Sequence, residues 1–215
     1  MADRSYLDWP FFEEHHRKLA KEVDDWCRQT KWPHHGDSVD ATDEACRQRV
    51  LLLAEGGWLR WCVPREYGGE HESLDVRSLC LIRETLARYD ALADFSFAMQ
   101  GLGSGAISLY GNSEQKQNIL EEVSAGRMIA GFALSEPDAG SDVAAMSSKA
   151  YSTSEGWKVN GEKSWISNGG IADYYTFFAK TSDQPGSGGI SAFLLKADNP
   201  GLSITERQEV MAPHP

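Results

Sequence analysis

The spacing of hydrophobic and polar positions changes once along the chain, close to Arg127. In residues 10–31 the hydrophobic positions recur at intervals of three and four, which predicts an α-helix with one buried face. Asp8 is expected to cap this helix and Pro10 to lie in its first turn. The residues expected to face inward are Phe12, His15, Leu19, Val23 and Trp26.

Four further helices are expected before residue 127. They cover residues 42–55, the segment after Ser73 up to Tyr89, residues 94–110 and residues 113–124. The helix at 94–110 contains Gly101, Gly103 and Gly105, and a glycine inside a helix costs about 1 kcal/mol relative to alanine. Close approach of a neighbouring helix or of a ligand is therefore expected at these glycines.

After Arg127 the period shortens to about two, and aromatic and branched residues become frequent, which predicts β-strands. The strand-like runs are MIAGFAL, GWKV, KSWIS, YYTFFAK and ISAFLL. The pair Asn160-Gly161 predicts a type I′ hairpin, because both central residues of that turn need positive φ. A helical part followed by a strand part predicts an α+β fold. We expect an N-terminal all-α domain at residues 1–127 and a mainly antiparallel, incomplete β-domain at 128–215.

Composition narrows the class of protein. The 215 residues are 41% hydrophobic and 25% charged, as in ordinary globular proteins. The net charge is −11 and no basic patch stands out, so nucleic-acid binding is not expected. Without a secretory signal, a transit peptide or an apolar run near the ~20 residues that span a membrane, a cytoplasmic location is expected.

The cysteines and histidines give no pattern typical of a metal site. The four cysteines form no C-x-x-C pair and are expected to be reduced and buried. The adjacent pairs His15-His16 and His34-His35 are expected to point to different faces, so no metal site is predicted.

Two short motifs carry the candidate chemistry. In FALSEPDAGSDV, residues 132–143, the hydroxyls of Ser135 and Ser141 and nearby N–H groups can bind the edge of a planar or anionic ligand. In WISNGG, Trp165 and Ser167 lie two apart on a predicted strand and therefore share a face, where they can stack on a flat ring and bond its edge. A plain turn at the first motif and a half-buried hairpin face at the second are the alternatives.

The order of these motifs resembles the signature of the acyl-CoA dehydrogenase family. SEPxAGSDV is followed by NGxKxWISNGG, and VPREYGG, GLGSGAISLYGNSEQKQNILEEVSAG and ADYYTFFAKT are similar to the framework of that family in the same order. The resemblance extends over essentially the whole chain. It implies a helical domain, then a β-domain, then a second helical bundle.

The resemblance also implies FAD as the cofactor. The positions that match the flavin-binding segments of the family are Phe132, Ala133, Leu134, Ser135, Gly140, Ser141, Trp165, Ile166 and Ser167. Ser135 would bond the pyrimidine end of the flavin, and Trp165 would pack on its ring system. Ser167, where the family generally has threonine, would bond near the nitrogen that accepts hydride.

The implied reaction is α,β-dehydrogenation of an acyl-CoA thioester, with electrons passed to an electron-transfer flavoprotein or a similar acceptor. Ser141 would contact the pantetheine arm of the substrate, and Gln100 and Ser104 are the other expected substrate-binding residues. The small residues from Gly103 to Gly105 would either leave room for the acyl chain or allow close helix packing.

The catalytic base of the family is a glutamate in the second helical bundle, so it is expected beyond Pro215. Glu136, Asp138 and Asp142 are expected to bond the loop around them rather than to act as that base. The chain is accordingly expected to be a fragment of a longer homo-oligomer, a dimer or tetramer. Two other functions stay open, a flavin oxidase or monooxygenase of the same fold and a non-catalytic acyl-CoA- or flavin-binding scaffold.

Overall fold

Five α-helices make up the first part of the chain. The structure is a computed structural model that describes residues 3–34, 36, 38–212 and 214–215. The helices are α1 (Glu14–Gln29), α2 (Val39–Glu55), α3 (Val76–Tyr89), α4 (Ala91–Tyr110) and α5 (Ser113–Ser124). The expectation that His34 and His35 point to different faces is not tested, because His35 lies outside the described residues.

Helix α1 begins later than its hydrophobic spacing predicted. Asp8 ends a short 3₁₀ turn instead of capping the helix, and Glu13 is the residue before the first turn. The backbone N–H of Glu13 donates to Nδ1 of His16 at 2.9 Å, which satisfies a donor that the helix leaves unpaired. His15, expected inside, is exposed, and the buried face is formed by His16, Leu19, Ala20, Val23 and Cys27.

The other helices match their predicted positions to within a few residues. Helices α2, α3 and α4 begin after the capping residues Ser38, Asp75 and Asp90, whose side chains accept backbone N–H groups. Helix α5 has its predicted bounds, because Asn112 caps it and Gly126 follows its end with positive φ.

A five-stranded sheet forms the second part of the chain. Its strands are β1 (Ala130–Ala133), β2 (Lys149–Thr153), β3 (Gly156–Asn160), β4 (Tyr174–Lys180) and β5 (Ile190–Lys196). Strand β4 pairs in parallel with β1 and antiparallel with β5, and it meets β2 at one parallel position; β2 and β3 form an antiparallel hairpin. The predicted order, a helical part and then a mainly antiparallel sheet, is confirmed, with the parallel β1–β4 pair as an addition.

The predicted hairpin at Asn160-Gly161 is wrong. The β2–β3 hairpin turns between Thr153 and Gly156, and Asn160 is the last residue of β3. Gly161 has no positive φ; a Cβ at this position would lie 2.1 Å from Oγ of Ser148. Its small size is thus needed for close backbone approach and not for a turn.

The predicted strand at KSWIS is also wrong. No strand is assigned between Asn160 and Tyr174. Trp165 has φ of 60°, which is incompatible with an extended strand. Trp165 and Ser167 therefore do not share a strand face, and their placement depends on an irregular segment.

Helix α4 joins the two parts of the molecule. A Cβ on Gly103 would lie 2.6 Å from Cβ of Ala130, so the glycine permits close contact with β1. The hydroxyl of Thr176 in β4 donates to the carbonyl of Gly103 at 2.6 Å. Buried apolar residues from the helices and the sheet form one continuous core.

The burial of the cysteines was predicted correctly for three of the four. Cys27, Cys46 and Cys62 are buried as expected, whereas Cys80 on α3 is exposed. Among the described helices, none combines the length and the apolar character that crossing a membrane requires.

Candidate functional site

A cavity of about 480 Å³ lies between the end of β1, the segment 161–170 and the chain after residue 200. This volume falls within the range of about 300–1,000 Å³ that is typical of small-molecule sites. Ala133 is the last residue of β1, and the parallel register places Phe177 of β4 beside it. Residues that line the cavity include Ala133, Lys163, Trp165, Ser167, Tyr175 and Phe177.

Trp165 presents its indole at this cavity. The side chain is 66% exposed, so a face of the indole is accessible to a ligand. The preceding residue holds the segment in place, since the N–H of Ser164 donates to the carbonyl of Ser135 at 2.9 Å. Left-handed backbone costs a non-glycine residue about 1–2 kcal/mol, and such strain is concentrated at functional sites.

Asn168 anchors the turn that follows Ser167. Its φ is 61°, which asparagine adopts more readily than most residues, and its buried side-chain amide donates to the carbonyl of Ala130 at 2.8 Å. Its backbone N–H donates to the carbonyl of Pro215 at 2.9 Å. The turn therefore connects β1, the cavity wall and the end of the described chain.

Arg207 fastens the chain after residue 200 to the rest of the molecule. Its guanidinium pairs with the carboxylate of Asp43 in α2 and donates to the carbonyl of Gly169 at 3.4 Å. One side chain thus links the cavity wall, the turn at residues 168–170 and the helical part.

Glu136 and Lys163 form a buried ion pair beside the cavity. Oε1 of Glu136 lies 2.8 Å from Nζ of Lys163, and the side chains are 2% and 5% exposed. Burial alone would raise the pKa of Glu136, but hydrogen bonds from Lys163, Ser148 and Ser147 outweigh it and lower the pKa to about 2. Burial lowers the pKa of Lys163, and the charge of Glu136 opposes that shift.

The predicted site residues divide into two groups. Those that line the cavity are Ala133, Trp165, Ile166 and Ser167. Those that do not are Phe132, Leu134, Ser135, Gly140 and Ser141. The carbonyl of Ser135 accepts the N–H of Ser164, a cavity-lining residue next to Trp165, whereas Phe132 packs edge-on against Phe178, with ring centroids 5.1 Å apart. Gly140 and Ser141 lie on the exposed loop after Pro137.

Gln100 and Ser104 are fully buried in α4 and do not line this cavity. The Gln100 amide donates to the carbonyl of Met128 and accepts from the N–H of Ala130, both at 2.8 Å. The hydroxyl of Ser104 donates to the carbonyl of Gln100 at 2.6 Å. Both side chains have structural partners here, and their role in substrate binding stays a prediction.

Several residues of the site were not among the predicted ones. Lys163 and Asn168 lie inside NGxKxWISNGG, so the motif itself was the signal that could have found them. Tyr175 and Arg207 had no local signal, because their roles depend on contacts across the fold. Burial raises the pKa of Tyr175, although its hydroxyl accepts the N–H of Gly170 at 3.0 Å.

His15, His16 and Asp75 bring three possible metal-ligand atoms within 4.8 Å of one another. The two histidine rings lie close together, with centroids 3.8 Å apart, so they do not diverge as expected. Nδ1 of His16 accepts the N–H of Glu13, which leaves the proton on Nε2, where it is donated to Asp75 at 2.8 Å. This tautomer makes Nε2 of His16 a donor and not a metal ligand.

Family models match most of the chain. The N-terminal domain of acyl-CoA dehydrogenase matches residues 13–127, and the middle domain of acyl-CoA dehydrogenase matches residues 131–214. A probable acyl-CoA dehydrogenase of Mycobacterium leprae is 35% identical over 196 residues, which cover 91% of this chain and 50% of that protein.

Solved structures agree in fold. An acyl-CoA dehydrogenase complexed with FAD from Bacillus anthracis has a TM-score of 0.75 at 30% identity. The match covers 97% of this chain and 37% of the Bacillus anthracis chain. A chain solved in work on the electron transferring flavoprotein of Acidaminococcus fermentans has a TM-score of 0.77 at 30% identity, covering 92% of this chain and 52% of that one.

The chain has an α+β fold in which a helical part packs against a mixed sheet. The chain belongs to the acyl-CoA dehydrogenase family. It spans about half the length of the curated relatives that it matches, 50% in the case of the Mycobacterium leprae protein.

Proposed function

We propose that the protein containing this chain binds FAD at the cavity and dehydrogenates an acyl-CoA thioester between its α and β carbons. One observation carries the proposal: segments 132–135 and 163–167, distant in sequence, are hydrogen-bonded to each other at a ligand-sized cavity. Membership of the acyl-CoA dehydrogenase family supports the same reaction.

The residues at the cavity fit a flavin. The exposed indole of Trp165 offers an apolar face on which a flat ring can stack. Within the described part of the chain, the hydroxyls of Ser135 and Ser167 and the indole N–H make no hydrogen bond, so these donors remain for a ligand. Ala133, Trp165, Ile166 and Ser167 would hold the ring system. Ser135 does not line the cavity, but it is bonded to Ser164 in the cavity wall, and from there it would donate to the pyrimidine edge of the flavin. When bound, FAD supplies the hydride acceptor.

The base that removes the α-proton is proposed to lie outside these 215 residues. A general base should reach the substrate from a dry position. Glu136 is dry, but Lys163, Ser147 and Ser148 occupy its oxygens. Glu162 and Glu206 border the cavity and are exposed. Glu136 is therefore not available to a substrate, and Glu162 and Glu206 are not dry, so none of these three glutamates is a suitable base.

The remaining expectations also stay proposals. We propose an electron-transfer flavoprotein as the acceptor, supported by the similarity to the chain from the Acidaminococcus fermentans work. Three further proposals rest on the resemblance alone. They are a homo-oligomeric assembly, a domain boundary near residue 127, and substrate contacts from Gln100, Ser104 and Ser141.

The test uses the intact gene product. After purification with FAD, it should show flavin absorbance near the visible bands of the free cofactor, and an acyl-CoA from a panel of straight, branched and cyclic substrates should bleach it without air. A colourless protein that resists FAD reconstitution would contradict flavin binding. Fast reoxidation by dioxygen after bleaching would instead indicate an oxidase or monooxygenase.

A further inference from the structure

The buried ion pair of Glu136 and Lys163 lies where the two segments that are proposed to bind FAD meet. We propose that these two side chains, the Glu136–Lys163 clasp, are positioning residues that hold the two segments in register for the cofactor. The inference rests on the proposed function, because it concerns how this chain prepares its flavin site.

Three protein groups surround the ammonium of Lys163. An ammonium group has three N–H donors. Nζ donates to the carbonyl of Leu134 at 3.0 Å and to Oε1 of Glu136 at 2.8 Å, and it lies 5.0 Å from the ring centroid of Phe177. This distance is within the range of a favourable cation–π contact. Because protein groups already pair the charge of Lys163 and bond its ammonium, we assign it a positioning role for the segments around it.

Glu136 closes the loop that follows β1. Oε1 accepts the N–H of Ser148 at 3.0 Å, and Oε2 accepts both the N–H and the hydroxyl of Ser147, at 2.5 and 2.8 Å. The loop between these bonds contains Gly140 and Ser141, two of the predicted site residues. One carboxylate therefore fixes both ends of this loop and the segment that carries Lys163.

The clasp sets the relative position of the two segments. Lys163 precedes Trp165 by two residues, and its partner Leu134 follows the cavity residue Ala133. The neighbouring backbone bond from Ser164 to Ser135 depends on the same alignment. Loss of the ammonium would leave a buried carboxylate without its counterion, which favours rearrangement of the loop that carries it.

The test compares K163M with R49M in the intact gene product. Methionine keeps the length of the lysine side chain and removes its charge and donors. R49M breaks another buried ion pair, Arg49 with Asp90 at 2.6 Å, which lies in the helical part and does not line the cavity. Both variants are expected to lower the melting temperature, so R49M controls for a merely structural effect.

Two readouts are taken at a temperature at which each variant is folded: the dissociation constant for FAD and the visible absorbance spectrum of the bound flavin. K163M should weaken FAD binding by about tenfold or more and shift the spectrum. R49M should leave the dissociation constant within about twofold of the wild-type value and the spectrum unchanged. Equal dissociation constants for K163M and the wild type would overturn the clasp.

The variant E136Q extends the test, since it keeps the shape of the side chain and also serves if K163M does not fold. If the clasp acts as a unit, E136Q/K163M should weaken FAD binding no more than K163M alone. Additive losses from the two substitutions would contradict a shared role. A wild-type protein that binds no FAD overturns the proposed function and the clasp together; a wild type that binds FAD while the variants bind equally well overturns the clasp only.

Discussion

At the scale of single residues, the candidate site combines backbone strain with a buried charge. Trp165 has a backbone conformation that glycine adopts more easily, and it keeps a large side chain exposed at the cavity. Lys163 is also costly to bury, and its ammonium is hydrogen-bonded to the carbonyl of Leu134 and to the carboxylate of Glu136. Strained backbone is concentrated at functional sites, so the conformation of Trp165 agrees with the proposed site.

Substitution of Trp165 should separate strain from function. W165G and W165A both remove the indole, so FAD binding should weaken by a similar factor in each. W165G should nevertheless be more stable than W165A by about 1 kcal/mol, because only glycine adopts φ of 60° without a steric cost. Urea unfolding measures the difference; equal stability of the two variants would show that the backbone at this position is relaxed.

Glu136 should make stability depend on pH in the acid range. Its pKa is about 2 in the folded protein against an ordinary value of 4.5, so the folded state favours the ionised form. The stabilisation is fully present above pH 4.5 and is lost as the pH falls towards 2. At pH 7, E136Q should be less stable than the wild type by about 3 kcal/mol, and the difference should shrink towards pH 2.

The measurement is urea unfolding of the two proteins at several pH values. The difference between their curves isolates Glu136, because other carboxylates with lowered pKa values, such as Asp75 and Asp24, titrate in both proteins. E122Q is the matched control: Glu122 pairs with Arg127 at the surface and should affect stability little. A stability difference between E136Q and the wild type that is independent of pH would contradict the assignment.

At the scale of elements, the glycines of α4 have unequal roles. A Cβ on Gly103 would lie 2.6 Å from Cβ of Ala130 and 3.1 Å from the carbonyl oxygen of Gly131. A Cβ on Gly105 would have no neighbouring atom within 4 Å. Close packing of α4 on β1 therefore explains Gly103. The role of Gly105 in making room for an acyl chain stays a prediction.

Alanine substitutions should have opposite effects at these two positions. G103A should destabilise the protein by about 1–3 kcal/mol, because Ala130 and the backbone of β1 must move. G105A should stabilise it by up to about 1 kcal/mol, because alanine is the better helix former. Thermal or urea unfolding provides both values. A neutral G103A would show that the helix and strand are not in firm contact.

Local signals predicted some elements and failed for others, for identifiable reasons. Helix α5 has its capping residue and its terminating glycine within its own sequence, so its bounds were correct. Gly161 looked like a turn glycine, but its role is the contact with Ser148, which no local pattern reveals. In the candidate site, the signature motifs contain Trp165 and Ser167, and both line the cavity. Arg207 pairs with Asp43, which is distant in sequence, so no local pattern predicts this contact.

At the scale of the whole molecule, the helical part and the sheet share one core and are joined by buried hydrogen bonds. Gln100 connects α4 to both Met128 and Ala130, and Thr176 connects β4 to Gly103. The core cluster contains residues such as Phe97 from the helices and Tyr174 from the sheet. A cavity at the end of β1 is therefore supported by the helices as well as by its own strands.

Unfolding should consequently be cooperative across both parts. Helical signal in the far-ultraviolet and aromatic signal in the near-ultraviolet should change at the same urea concentration. Q100M should lower the unfolding free energy by about 2–4 kcal/mol, since it leaves the carbonyl of Met128 and the N–H of Ala130 buried without partners. Q48M, at an exposed position on α2, is the matched control and should change it by less than about 0.5 kcal/mol. Two separate transitions in the wild type, or a Q100M variant as stable as Q48M, would mean that α4 and β1 fold independently and that the cavity does not depend on their contact.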